Sequence, residues 1–418
     1  MSAKFKSAAL SAVMMASLLA AGAASAQIVV GGGATLPEIL YDEILPSGVG
    51  LTDFTYTGTG SGAGKTAFYN NNATVFDNES LSPAPTAAVP LPNPWPATQS
   101  VHFAGSDSAV TSTELSNYNT VTTGTPASPL TRLAAWGPLI QIPAVATSVL
   151  IPYKRTGISN LDLTDAKMCA IFSKKSGGQT WGQVRGTTDT TAVQVVYRTD
   201  TSGTTELLSR YLVAACPGSG FVVSNSFATM VAGALPSGTT LATTGWLGVN
   251  GSGGMSGAFG TNGRIGYLSP DSTYTGSSNA VVSKINGNLP VASSIKAVLG
   301  AVSLPVGGAS QASNPLAWVP AYAKPASGYP IFGTTNLLVN QCYKDAAVQA
   351  KVKAFLVDLF GTTYDAQITA HNFVNLPDGT AGTNNWKAAV ASTFLDASSN
   401  LGIGNTNVCN GIGRPLSN

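Results

Sequence analysis

The segment Val193-Gln194-Val195-Val196-Tyr197, followed by Arg198-Thr199-Asp200-Thr201-Ser202-Gly203-Thr204-Thr205, constrains this chain more than any other. A strand-type run leads into a Ser/Gly/Thr turn, after which Leu207, Leu208, Tyr211 and Leu212 recur at helical spacing. A strand that feeds directly into a helix is the unit of α/β architecture, so the pattern predicts a sheet with helices packed on it. Ser202 falls near the N-cap. A helix start carries unpaired N–H groups and the positive end of a dipole, and both favour an anion. Arg198 adds a guanidinium to the same turn. Taken alone, the segment reads equally well as an ordinary Ser/Thr cap beside a surface arginine.

Three more turns carry related chemistry. Gly31-Gly32-Gly33-Ala34-Thr35-Leu36-Pro37 precedes Ile39, Leu40, Ile44 and Leu45 at helical spacing, with Pro37 suited to the first helical position. This is a second exposed helix start. Thr57-Gly58-Thr59-Gly60-Ser61-Gly62-Ala63-Gly64-Lys65 follows the strand-like Phe54-Thr55-Tyr56, and its glycines let backbone approach a ligand closely. Val101-His102-Phe103-Ala104-Gly105-Ser106-Asp107-Ser108 places a carboxylate after a short strand; as a local feature, Asp107 is a turn aspartate.

In this order the four segments resemble the periplasmic phosphate-binding proteins of bacterial uptake systems, most closely their DING-type branch. The similarity is dense at Gly31 to Pro37, Tyr56 to Lys65, Ala104 to Ser108 and Val195 to Leu212. It is weaker at Leu161 to Gly182 and Tyr329 to Tyr343. The family's Asp-Ile-Asn-Gly opening is replaced here by Ile28-Val29-Val30-Gly31, upstream of the ligand residues. The resemblance implies a two-lobe Venus-flytrap fold of α/β class with a two-strand hinge. It also implies a phosphate site of Thr35, Leu36, Ser61, Asp107, Arg198, Ser202, Gly203 and Thr204, with inorganic phosphate as ligand, arsenate as its analogue and an ABC transporter permease as partner.

Physical chemistry gives each residue a role. Near neutral pH phosphate is largely a dianion that still carries a proton, so a selective site needs many donors, positive charge and one acceptor. Asp107 is that acceptor. Sulfate lacks the proton and would oppose the carboxylate with lone pairs, a penalty of several kcal/mol. Arg198 offers a charge-assisted contact and is expected to keep Asp107 ionised.

Residues 1–26 carry Lys4 and Lys6, an apolar stretch around Val13 to Ala21, and Ala24-Ser25-Ala26, the pattern of a cleaved signal peptide. The apolar stretch is shorter than the roughly 18 residues that a membrane anchor needs, and no other segment looks membrane-embedded. Without the two leader lysines, the 21 basic residues fall to 19 and balance the 19 acidic ones, so no basic field points to nucleic acid. The expected compartment is the periplasm or the exterior, and the expected state is a monomer. Cys169, Cys216, Cys342 and Cys409 divide into a central and a C-terminal pair, which predicts Cys169–Cys216 and Cys342–Cys409. Their spacing fits no zinc signature, and neither a metal nor another cofactor is expected.

The alternation of strands and helices fits two lobes: 27–145 with 330–418, and 146–329, joined by crossings near Ile140 to Ile151 and through Tyr329-Pro330-Ile331. Pro83 to Pro96, with six prolines, and the glycine-rich Gly251 to Gly263 read as surface loops. Gly60 to Thr66 imitates a Walker A loop, but Thr59 stands where the first glycine belongs. Lys65 is expected outside the pocket. His102 could serve a hydrolase with Ser61 or Ser202, or fill a packing position in a strand. Asn72 and Asn78 begin Asn-X-Ser/Thr triplets, which matter only in a eukaryotic secretory route. The leading expectation is a non-enzymatic phosphate receptor with no catalytic residue. The alternatives are a secreted scavenger or phosphatase using the same pocket, and a surface adhesion or matrix protein.

Overall fold

Two mixed sheets, each covered by helices, organise the chain. The computed structural model describes residues 27–45, 53–77, 91–123, 129–278, 280–302, 309–320, 322, 324–378 and 385–417. The expected signal peptide, Asn78 and most of the proline-rich insert lie outside these residues. In chain order the sheet strands are β1 Val29–Gly33, β2 Phe54–Gly58, β3 Phe103–Ser106, β4 Leu139–Ser148, β5 Pro152–Lys154, β6 Gln194–Arg198, β7 Leu247–Val249, β8 Arg264–Ile265, β9 Val281–Val282 and β10 Phe332–Asn340. The helices that matter here are α1 Glu38–Ile44, α2 Ser61–Asn70, α3 Gly203–Ala215, α4 Gly251–Ala258, α5 Ser272–Ser278, α6 Ala346–Phe360 and α7 Asp365–Ala370.

The first sheet has the order β2-β1-β3-β10-β4 and the second β7-β6-β8-β5-β9. In each, three parallel strands are followed by two antiparallel pairings. Period-two alternation explains why the first sheet is covered on both faces. Val29, Phe103, Leu337 and Val339 join one apolar cluster, while Val30, Ala104 and Leu338 join another on the opposite face.

The chain crosses between sheets twice, in adjacent extended segments. The Val149 N–H donates to Ile331 O at 2.9 Å, and the Tyr329 hydroxyl donates to Val149 O at 2.7 Å. This pair is the two-strand hinge of a two-lobe α/β fold. β4 runs on to Ser148 within the first sheet before the chain leaves it.

Two local expectations change. Pro37 is the N-cap of α1, one residue before the helix. Gly251 to Ala258 is a helix and not a loop, because Ser252, Met255, Ser256 and Ala258 fall on one face and are buried. That packing outweighs the roughly 1 kcal/mol which each interior glycine costs a helix. Among the described residues no helix is long and apolar enough to cross a membrane.

Cys169–Cys216 ties helix Asp165–Ser173 to the end of α3, and Cys342–Cys409 ties the residues after β10 to the C-terminal segment. Each bridge stays beside one sheet, so neither spans the hinge. Loops of 47 and 67 residues are long enough for each bridge to stabilise by about 4 kcal/mol through loop-closure entropy. Replacing either pair with serine should lower the unfolding free energy measured in urea by an amount approaching that value. Peptide mapping that found Cys169 joined to Cys342, or Cys216 to Cys409, would contradict this connectivity.

Candidate functional site

The carboxyl ends of parallel strands from both sheets point at one another across the cleft. In open α/β sheets these ends are where ligands bind, because strands finish there and helices begin. β1 delivers Thr35 and Leu36, β2 delivers Ser61 as the first residue of α2, and β3 delivers Asp107. From the other lobe, β6 ends at Arg198 and leads through Ser202 to Gly203 and Thr204 at the start of α3, while β7 leads to Gly251 and Ser252. Thr35, Leu36, Ser61, Asp107, Arg198, Ser202 and Thr204 are all buried. The Gly31–Pro37 helix start is therefore not exposed. The second lobe covers it: the Ser252 N–H donates to Thr35 Oγ1 at 3.1 Å.

Ser61 joins the lobes. Its Oγ accepts the N–H of Asp107 and the N–H of Gly203, each at 3.1 Å. Gly203 must lack a side chain, since a Cβ there would lie 2.4 Å from Asp107 Cβ. Gly60 meets the same constraint with φ +88 and Asp200 alongside. Ser202 caps α3 by accepting the Thr205 N–H at 3.3 Å.

Arg198 is held from three directions. Its Nε donates to Asp200 Oδ1 at 2.6 Å and its Nη2 to Asp200 Oδ2, while its backbone N–H donates to the Tyr267 hydroxyl at 2.9 Å. Tyr267 and Tyr197 both stack on Phe227, with ring centroids 6.0 and 4.7 Å away, which fixes the strand end. Asp200 also accepts the Gly251 N–H at 3.1 Å. Asp200, Gly251, Ser252 and Tyr267 were not singled out in the sequence as site residues. For Asp200 the Arg-X-Asp spacing was the available signal; for the others only the folded sheet brings them in.

Burial pushes the Asp107 carboxyl up to about 7, with Glu206 acting in the same direction and the Thr335 and Thr204 hydroxyls and Arg198 acting against it. Asp107 Oδ1, Thr204 Oγ1 and Thr335 Oγ1 are buried without a hydrogen-bond partner, so these hydroxyls do not satisfy the carboxylate. This corrects the expectation that Arg198 keeps Asp107 ionised. Asp200 already neutralises the guanidinium, and desolvation wins.

The decoys resolve on geometry. Lys65 is outside the site but buried, paired with Glu114 at 2.9 Å. His102 precedes β3, and its Nδ1 accepts the Val30 N–H at 2.9 Å; burial and Arg414 hold its pKa down at about 3. That ring is a packing group and a poor base.

Two hinged lobes with helix starts, hydroxyls, one arginine and one carboxyl facing across the cleft define a binding protein of the Venus-flytrap class. The chain belongs to the PBP superfamily, whose domain model matches residues 19–357. It is 43% identical over 412 residues to a Pseudomonas aeruginosa protein named alkaline phosphatase L, across 96% of this chain and 99% of that one. It is 39% identical to a solved high-affinity periplasmic phosphate-binding protein bound with phosphate at pH 8.5, covering 93% of this chain and 100% of the other with a TM-score of 0.75. A solved DING protein matches at 37% identity, with 93% and 100% coverage and a TM-score of 0.74. The DING-type branch expected from the motifs is represented among these solved relatives.

The Asp107 environment has a consequence for stability. Its carboxyl rises from 3.8 to about 7 on folding, so its contribution is greatest below pH 3.8 and is lost as pH rises towards 7. In ligand-free protein, the melting temperature of Asp107→Asn should gain on wild type between pH 4 and 7 and then level off. The full effect is on the order of 4 kcal/mol. A difference that does not vary with pH would contradict the buried carboxyl. Gly203→Ala should hold the lobes apart, giving a larger radius of gyration in scattering.

Proposed function

We propose that this protein captures inorganic phosphate with high affinity in the interlobe cleft and delivers it to an ABC transporter. It would do so in the periplasm or outside the cell, after loss of residues 1–26. Thr35, Leu36, Ser61, Asp107, Arg198, Ser202, Gly203 and Thr204 form the proposed shell. The lobes are taken as 27–145 with 330–418, and 146–329, with β4 carrying the first lobe on to Ser148. The observation that carries this reading is Asp107: a buried carboxyl with an unpartnered oxygen, set among helix starts and buried hydroxyls.

The site carries little net positive charge, since Arg198 is paired with Asp200. Affinity therefore rests on directed donors in a dry cleft. Above pH 7 the ionised Asp107 accepts the phosphate proton; sulfate brings none and meets an unpaired charge. Below that pH a protonated Asp107 can donate to either anion, so discrimination narrows.

The phosphatase name borne by the Pseudomonas relative raises a second reading, with Ser61 as nucleophile and Asp107 as proton acceptor. Ser61 Oγ already accepts two backbone N–H groups, which directs its lone pairs away from attack. Turnover of a phosphomonoester that Ser61→Ala abolishes would replace the binding reading with this one.

Calorimetry at pH 8.5 should show phosphate and arsenate binding with sulfate excluded. Asp107→Asn should reduce the phosphate preference, and wild-type discrimination should shrink at pH 5.5. Arg198→Ala should weaken phosphate binding by roughly a hundredfold, the scale of a lost charge-assisted contact of about 3 kcal/mol. Equal wild-type affinity for sulfate and phosphate at pH 8.5, or unchanged phosphate affinity in Arg198→Ala, would overturn the assignment.

A further inference from the structure

His371 sits where the lobes meet, away from the anion site. It follows α7, three residues before Val374 pairs with Ala146 of β4, and so belongs to the first lobe. Its Nδ1 lies 2.7 Å from Asp271 Oδ2 and its Nε2 lies 2.7 Å from Glu43 Oε2. Glu43 is on α1 of the same lobe, whereas Asp271 immediately precedes α5, which packs on α4 of the second lobe. Three further bonds cross beside them. Asn372 Nδ2 donates to Pro270 O at 3.1 Å, Ser272 Oγ to Ala370 O at 3.2 Å, and Ser269 Oγ to Leu36 O at 2.7 Å.

Both ring nitrogens face carboxylates. A neutral imidazole has one N–H and one lone pair, so it can serve one carboxylate while opposing the other; the imidazolium serves both. The two partners differ in surroundings, because the Glu43 side chain is 51% exposed and that of Asp271 is 0% exposed. When the ring loses a proton, water can solvate Glu43 in place. Asp271 has no such recourse: it keeps the Thr273 N–H on its Oδ1 at 2.9 Å and a neutral Nδ1–H, but the positive charge that faced it in this dry contact is gone. Opening the lobes hydrates Asp271.

We propose that His371 is a proton-dependent latch, holding the lobes closed while both ring nitrogens are protonated and loosening the closed form when one proton leaves. Burial works to lower the His371 pKa, but Glu43 and Asp271 outweigh it and raise the pKa above 6.5. The other titratable groups nearby are acidic. α1 contributes Glu38 and Asp42, and α5 contributes Tyr274, whose hydroxyl donates to Glu38 across the cleft at 3.2 Å. On α7, Asp365 is taken by Lys387 at 2.9 Å. Burial pushes Asp42 up to about 8, so rising pH adds further negative charge on this side of the cleft.

Small-angle scattering of phosphate-free protein from pH 5.5 to 9 tests the latch without a ligand. Wild type should be more compact at the acid end, and His371→Gln should lose that dependence. A second arm rests on the phosphate reading and compares phosphate Kd in wild type and variant by calorimetry. Their ratio cancels the second ionisation of phosphate and the titrations of Asp107 and Asp42, which both proteins share. Wild type should bind roughly tenfold tighter than His371→Gln at pH 5.5, with the ratio falling towards one at pH 9. Glu43→Gln, at a half-exposed position, is the second variant and should move the scattering transition to lower pH. A wild-type profile that ignores pH, a transition that both variants leave in place, or a flat Kd ratio overturns the latch. Absence of phosphate binding would sink the proposed function, and the scattering arm would still decide on His371.

Discussion

One serine oxygen at the centre of the cleft reaches both halves of this molecule. Ser61 Oγ receives one backbone N–H from the residue that carries the buried carboxyl and another from the first residue of α3 in the opposite lobe. With both bonds made, Asp107 is pressed against Gly203 and little but backbone can occupy the junction. The dryness of the site, the displaced pKa of Asp107 and the need for glycine at 203 follow from that approach. An anion in this cleft would find hydroxyls and helix starts from both lobes, so closure and binding are one event.

Electrostatics at the site rests on arrangement more than on net charge. Arg198 is the cation nearest the carboxyl, yet it is forked onto Asp200, and Asp200 is in turn held by the Gly251 N–H. A guanidinium fixed in this way keeps further donors in a known direction. The Tyr197-Phe227-Tyr267 stack does for the strand end what Asp200 does for the side chain. In the proposed phosphate reading, selectivity would turn on this buried carboxyl, whose pKa near 7 would tie the choice of anion to pH.

The scaffold explains why the residues arrive together. Both sheets end their parallel strands at the cleft, and each strand end is followed by a helix start. Two crossings, one beside the other, allow rotation without losing the pairing within either sheet. The disulfides stiffen each side separately.

The motifs around Thr35, Ser61, Asp107 and Arg198 were readable because strand, turn and helix are written in spacings of two to four residues. Ser202 at the N-cap and the leucines of α3 depend on neighbours within one or two turns. The pairing of Cys169 with Cys216 and Cys342 with Cys409 follows the chain order of the two sheets. Other features were beyond local reading. Gly251 to Ala258 has loop composition and is helical because one face is buried. Lys65 is expected outside the pocket, but its burial against Glu114 is visible only in the fold. Asp107 looks like an ionised turn residue, and its proton affinity is raised mainly by burial, with Thr335, Arg198, Glu206 and Thr204, between about 90 and 230 positions away, adding smaller effects. His371 carries no motif at all; Asp271 and Glu43 reach it from 100 and 328 positions away. The sequence by itself determined which segments would be strands, helix starts and donors, because those preferences are local. Tertiary structure alone decided burial, pairing and protonation, because desolvation and Coulomb energy depend on every atom nearby, whatever its place in the chain.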